Sequence, residues 1–348
     1  VPEGNFPIAP HPRNINAPRD QDGNTYLHEL VLLHAPVEKL REAISLGADI
    51  NALNKQNMPP LGLAILKGDA AQMRDLLDLG ADINFATGKM SHANTPLVFN
   101  ATYIAAFTGN AEKLDIILSK GGAAFINTPA IEPTGYDDKW TALHVALKKS
   151  HYNIVDTLLD AGAFSCAPGG PSGDTPIMLA IDNDSAHAIG KLVRAGVSLE
   201  EKHPVTGDTP LLYAASRDKR WSVSRLVQMG ADTRATNNKG ETALMLTAHW
   251  GATRQLNEIL ATRPNINARN AKQETAIMMA AARGHADVTT ALIKAGADLL
   301  LADSFNKTAS IHAASSTNYS LRWSLEEAEK LQLQKQFEIT YKKLKPGG

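Results

Sequence analysis

The chain has 348 residues, 43% hydrophobic and 20% charged, with 35 basic against 36 acidic side chains. A net charge of −1 offers no global attraction to phosphate backbones or anionic membranes. The single cysteine, Cys166, excludes an internal disulfide framework and a multi-cysteine zinc ribbon, and no apolar run approaches the roughly 20 residues of a membrane span.

Residues 1–13 hold Pro2, Pro7, Pro10 and Pro12 and predict a flexible lead without regular hydrogen bonding. From Asn14 to about Ala314 one short string keeps returning: Thr, then Pro or Ala, then an aliphatic residue. It reads Thr25-Tyr26-Leu27-His28, Thr141-Ala142-Leu143-His144, Thr175-Pro176-Ile177 and Thr209-Pro210-Leu211. Thr242-Ala243-Leu244, Thr275-Ala276-Ile277 and Thr308-Ala309-Ser310 complete it, at steps of 33 or 34 residues from Thr141 onward. Degenerate copies stand at Pro59-Pro60-Leu61 and around Asn100. A second string follows in fixed phase: Gly47-Ala48-Asp49, Gly80-Ala81-Asp82, Gly162-Ala163, Gly196-Val197, Gly230-Ala231-Asp232 and Gly296-Ala297-Asp298.

Each unit predicts two short helices and a polar connection. Thr caps the first helix, and Pro is favoured at the next position because that N–H has no helical partner. Glycines such as Gly68, Gly109, Gly251 and Gly284 end it. The second helix carries aliphatic residues such as Ile154, Val155, Leu158 and Leu159 at i, i+4 spacing. The Gly-Ala-Asp glycine closes it, and a turn-rich stretch such as residues 233–241 reads as a projecting β-hairpin.

These residues resemble the ankyrin repeat family over roughly residues 14–315. The resemblance implies an all-α fold, an ankyrin-repeat α-solenoid of about nine helix–turn–helix units with β-hairpin loops, each buried only against its neighbours. It also implies a module that binds proteins. The expected organisation is a lead at 1–13, a solenoid at 14–320, and a C-terminal capping helix and tail at 321–348.

Two connections depart from the rhythm. The hairpins near 85–99 and 123–140 are longer than the others by roughly seven residues. Insertions in a solenoid map to loops on one face, often the binding face, although extra loop length is also tolerated at little cost. After Ala314 the pattern stops. Ser324-Leu325-Glu326-Glu327 reads as a capping box that opens a helix to about Lys345, with Leu333, Phe337 and Leu344 on one face. A shield for the last repeat is the favoured reading, and a partner-binding helix is its rival.

Chemistry finds little support. The resemblance assigns His28, His144 and His312, and the Gly-His positions His151 and His285, to structural bonds rather than a metal. Cys166 sits in a loop with no evident activating group, and Gly169–Thr175 lacks the Lys-Ser/Thr of a phosphate loop. No catalytic residue, cofactor or metal is expected.

In an ankyrin register, the last residues of each first helix and the residue before each Thr have no burial requirement. Large side chains there invite a partner, because aromatic residues and Arg dominate protein interfaces. The candidate protein-binding residues are Phe107, Tyr136, Trp140, Lys148, Arg217, His249, Trp250, Arg283 and Phe305. Trp221, on an outer helix, marks a second contact or a local shift that buries it. The expected function is a non-enzymatic adaptor that binds a protein partner through its concave face and long hairpins, as a cytoplasmic monomer without nucleic acid or membrane insertion. The alternative is the targeting arm of a secreted bacterial effector or of a multidomain enzyme. The start at Val1 leaves a removed signal peptide open.

Overall fold

The computed structural model describes residues 6–7, 9–85, 100–129, 140–164, 166, 168–169, 173–316 and 318–344, with side chains to 340. The chain divides into two compact units, Val1–Leu179 with Arg194–Val197, and Ala180–Val193 with Ser198–Gly348.

The first unit holds four complete helix pairs among its described residues. They are α1 (Tyr26–Leu32) with α2 (Val37–Ser45), α3 (Pro60–Leu66) with α4 (Ala70–Asp78), α5 (Ala101–Thr108) with α6 (Ala111–Ser119), and α7 (Ala142–Lys148) with α8 (Tyr152–Asp160). α1, α3, α5 and α7 pack in succession, and α2, α4, α6 and α8 pack in a second row. The boundary between the units falls within α9 (Pro176–Asp182) and α10 (Ala186–Arg194). The second unit continues with α11 (Pro210–Ser216), α12 (Arg220–Gln228), α13 (Ala243–Trp250), α14 (Thr253–Ala261), α15 (Ala276–Arg283), α16 (Ala286–Lys294), α17 (Ala309–Ala313) and α18 (Tyr319–Leu344). Here α11, α13, α15 and α17 form one row, and α12, α14 and α16 the other.

The two rows differ in chemistry for a physical reason. A first helix such as α3, Pro-Leu-Gly-Leu-Ala-Ile-Leu, lies between neighbours on both sides and is buried almost all round, with Leu61, Ala64 and Ile65 fully enclosed. A second helix such as α8 buries only Ile154, Val155 and Leu158 and leaves its other face polar. Among the described residues burial lies between neighbouring helix pairs rather than in one central core, so small aliphatic residues suffice.

The caps follow the sequence pattern. Thr242 Oγ1 accepts from the N–H of Met245 at 3.3 Å, and Asn100 Oδ1 takes the same role toward Tyr103 at 2.8 Å. Gly251 ends α13 at φ 70°, and a Cβ there would meet the His285 ring at 2.7 Å. Gly68 behaves differently from the expected left-handed cap. Its φ is not positive, and it is needed because a Cβ would press on the Ala64 carbonyl at 2.8 Å.

The connections correct the β-hairpin expectation. No strand forms among the described residues; one isolated antiparallel bridge joins Gly169 and Asp174. The loops at Asn237, Asn270 and Asp303 are each closed by one backbone bond, to Glu241, Glu274 and Lys307, and by a side-chain cage. Asn237 Oδ1 accepts from the N–H groups of Lys239 and Glu241, both at 3.0 Å. Asn270 does the same for Lys272 and Glu274, and Asp303 for Phe305 and Lys307. Successive loops then join by single backbone bonds, Asn238 N–H to Thr206 O, Ala271 N–H to Lys239 O and Ser304 N–H to Lys272 O.

The C-terminal helix begins earlier than the Ser324 capping box predicts. Asn318 Oδ1 accepts from the N–H of Leu321, so α18 starts at Tyr319. Ser324 lies inside it, its hydroxyl donating to the Ser320 carbonyl at 2.9 Å. Leu321 and Leu325 are buried, whereas Leu333 and Phe337 are exposed.

Candidate functional site

The candidate binding residues sort by unit. In the first unit Phe107 ends α5 and is exposed, with the Lys149 ammonium 4.7 Å above its ring. Trp140 precedes α7 and is only half-exposed. Its ring lies 5.9 Å from the Lys148 ammonium and 6.3 Å from the His144 ring, and its buried indole nitrogen has no hydrogen-bond partner among the described residues. Trp140 is therefore partly a packing residue, against its reading as an open contact. Tyr136, and residues 86–99 and 130–139 of the two long hairpins, lie outside the described residues.

In the second unit the structure brings Arg217, His249, Trp250 and Arg283 onto the ends of successive first helices. Trp250 is 44% exposed, yet its position is fixed: the indole N–H donates to the Ser216 carbonyl at 3.1 Å. The His249 ring meets it edge-on at 5.3 Å. Arg283 Nη2 donates to His249 Nε2 at 3.0 Å. Burial, and then the Arg283 guanidinium, push the His249 imidazole below its ordinary value of 6.5, which keeps that acceptor neutral. Arg217 stacks on the Tyr213 ring at 3.6 Å and reaches Asp182 at 3.6 Å. Phe305 projects from a loop tip at 74% exposure. Held aromatic and guanidinium groups lose little freedom on contact, so they present a preorganised surface.

Trp221 on α12 is exposed rather than buried by a local shift. It carries the Arg254 guanidinium 5.8 Å from its ring.

The histidines take the structural bonds the pattern implies. His28 Nε2 donates to the Met58 carbonyl at 2.9 Å, and its Nδ1 accepts from the Thr25 N–H at 3.2 Å. His151 bonds the Ala106 carbonyl and His285 the His249 carbonyl, each capping the first helix of the preceding repeat. Sequence reasoning missed two members of that capping set. Lys219 Nζ donates to Asp182 O at 2.7 Å. Lys113 Nζ, buried, donates to the carbonyls of Ala64, Ile65 and Gly68 at 3.1, 2.7 and 2.8 Å. Its position three residues after Asn110, opening α6, was the available signal.

Among the described residues one group carries metal-type donors close together. Glu274, Asp303 and His312 place their ligand atoms within 4.8 Å of one another. Asp303 is already committed there. Oδ1 closes its loop, and Oδ2 accepts from His312 Nε2 at 3.0 Å. Burial alone would raise the Asp303 carboxyl, but the Lys307 and Phe305 N–H groups and His312 outweigh it and hold the acid below 3.8. Cys166 is exposed. No helix among the described residues is long and apolar enough to cross a membrane.

Comparison with known proteins agrees with this architecture. A profile for ankyrin repeats in three copies matches residues 177–270 and 244–331, and a single ankyrin repeat profile matches 138–168. Together they cover more than half of the chain. No curated protein matches it. With both profiles falling on residues that the structure folds into repeated helix pairs, the chain belongs to the ankyrin repeat family.

Proposed function

We propose that the protein is a non-enzymatic interaction module that binds a protein partner on the exposed ends of its first helices in the second unit. Ankyrin repeats are generally protein-interaction modules and typically lack catalysis, which supports the class. The carrying observation is Trp250. A large aromatic side chain stands 44% exposed at the end of its helix, while its N–H is anchored to the preceding repeat. His249 and Arg283 extend the surface along the next repeat, and Arg217 along the previous one. Buried aromatic and Arg anchors of this kind carry most of the energy of protein interfaces.

Affinity capture from a host lysate tests the reading. Recovery of a partner with the wild-type chain, and its loss with the Trp250→Ala, Arg283→Ala variant, is the expected result. Equal recovery with both chains overturns the assignment of this surface. A role as the targeting arm of a secreted effector or a multidomain enzyme is compatible with the same surface and places the partner in the target cell.

A further inference from the structure

The two faces of α18 have different fates. One face is used by the last repeat. Leu321 and Leu325 are buried, and Glu329 accepts from the N–H and the hydroxyl of Ser310 at 3.0 and 2.7 Å. Gln332 accepts from the Leu299 N–H at 3.0 Å and donates to Asp298 at 2.9 Å. On the opposite face stand Tyr319, Trp323, Glu326, Lys330, Leu333 and Phe337. Their spacing alternates between four and three residues, which is the a/d seam of a coiled coil. The four apolar members are between 59% and 82% exposed. Large exposed apolar side chains at this spacing form an interaction surface; Leu331 and Ile339, also exposed, lie off the line.

We propose that this seam is a self-association surface, on which α18 pairs antiparallel with α18 of a second copy, Glu326 of each copy lying opposite Lys330 of the other. The register follows from the sequence of the stripe. In an antiparallel pair, a positions meet d positions. With Glu326 opposite Lys330, Trp323 faces Leu333 and Tyr319 faces Phe337. Every apolar residue then meets an apolar residue, and each charge meets its opposite. A parallel, in-register pair would set Glu326 on Glu326 and Lys330 on Lys330, so the same six residues select the orientation. One chain supplies both halves of the complementarity, as an isologous two-fold contact requires.

Scale and competition favour the pairing. The stripe from Tyr319 to Phe337 runs for about 27 Å at 1.5 Å per residue. Six aromatic side chains, each of about 150–250 Å², together with two leucines reach the roughly 1,000 Å² of a small specific interface. The ion pairs that now hold the two charges, Arg322–Glu326 at 2.8 Å and Lys330–Glu327 at 3.3 Å, are solvent-exposed and readily exchanged. The monomer expected from the sequence gives way, in this proposal, to a dimer built outside the repeats.

Sedimentation velocity of the full chain over about 1–100 µM, the range that brackets micromolar association, tests it. The wild type is expected to shift from monomer to dimer with concentration. Glu326→Lys and Lys330→Glu are each expected to sediment as monomers, because each creates a like-charged central layer. An equimolar mixture of the two variants restores opposite charges in both layers and is expected to dimerise. Lys330 is exposed and Glu326 only partly covered, so circular dichroism should be unchanged in each variant. The proposal is overturned if the wild type is monomeric throughout, if both single variants still dimerise, or if their mixture does not.

Discussion

The indole nitrogen of Trp250 lies 3.1 Å from the carbonyl oxygen of Ser216, which stands 34 residues earlier in the chain. One repeat thus positions the most prominent exposed aromatic group of the next. The bond fixes where this partly exposed ring stands.

Replacing Trp250 by Ala should separate binding from folding. The variant loses the Ser216 bond and part of a half-covered ring, so unfolding free energy should fall by about 1–3 kcal/mol while the chain stays folded. Partner affinity should fall at least about tenfold, as for a central aromatic anchor. Urea denaturation and a direct binding titration check the two halves.

Lys113 should be a folding residue of the first unit. Its ammonium satisfies three carbonyls at the C-terminal end of α3, where the helix has no further donors of its own. Lys113→Met keeps the stem and removes the donor. A loss of about 2–3 kcal/mol in unfolding free energy is expected, read by chemical denaturation. An unchanged midpoint would show that solvent replaces the cap.

Acid should weaken the first unit through His28. Burial pushes this imidazole below its ordinary 6.5 and outweighs the bond to the Met58 carbonyl and the nearby Asp20, which both favour the charged form. The unfolded chain takes up a proton as pH falls through about 6.5, and the folded chain resists doing so. The unfolded state then binds more protons, so stability contributed by His28 is present above that pH and is lost below it. Thermal unfolding of wild type and His28→Gln between neutral and mildly acid pH checks this; the variant should show the shallower decline.

Asp303 should tolerate an amide and reject an apolar side chain. Asn fills the equivalent positions at 237 and 270 with the same loop bonds. Asp303→Asn should therefore lie within about 1 kcal/mol of wild type, whereas Asp303→Ala frees two backbone N–H groups and should cost about 2–3 kcal/mol. The carboxyl sits below 3.8 in the folded chain, so its contribution holds above that pH and fades as pH drops through it. Denaturation at neutral and acid pH distinguishes the two variants.

The repeat register was legible because Thr and Gly-Ala-Asp recur in fixed phase, and each has a local role in capping or turning. The loop cages at Asn237, Asn270 and Asp303 also recur 33 residues apart, but a polar residue in a polar loop carries no periodicity that hydrophobic patterning detects. The start of α18 was misread because two capping signals compete, and Asn318 uses the earlier one. The partial burial of Trp140 and the anchoring of Trp250 depend on neighbours a repeat away, which no local pattern reports. The same holds for Lys113, whose cap spans 45 to 49 residues of sequence.

The single backbone bonds between successive loops, at Asn238, Ala271 and Ser304, have a mechanical consequence. The three junctions from the α11 repeat to the α17 repeat are each sealed near the loop tip by one such bond, loaded in parallel with the packing of the helices beside it. Under tension from its ends, that unit should come apart one repeat at a time rather than all at once. Each rupture would release about 33 residues of slack, a contour step of roughly 110 Å. An optical trap would record the repeat as a ruler of regular steps, a signature that a protein with a single undivided core does not give.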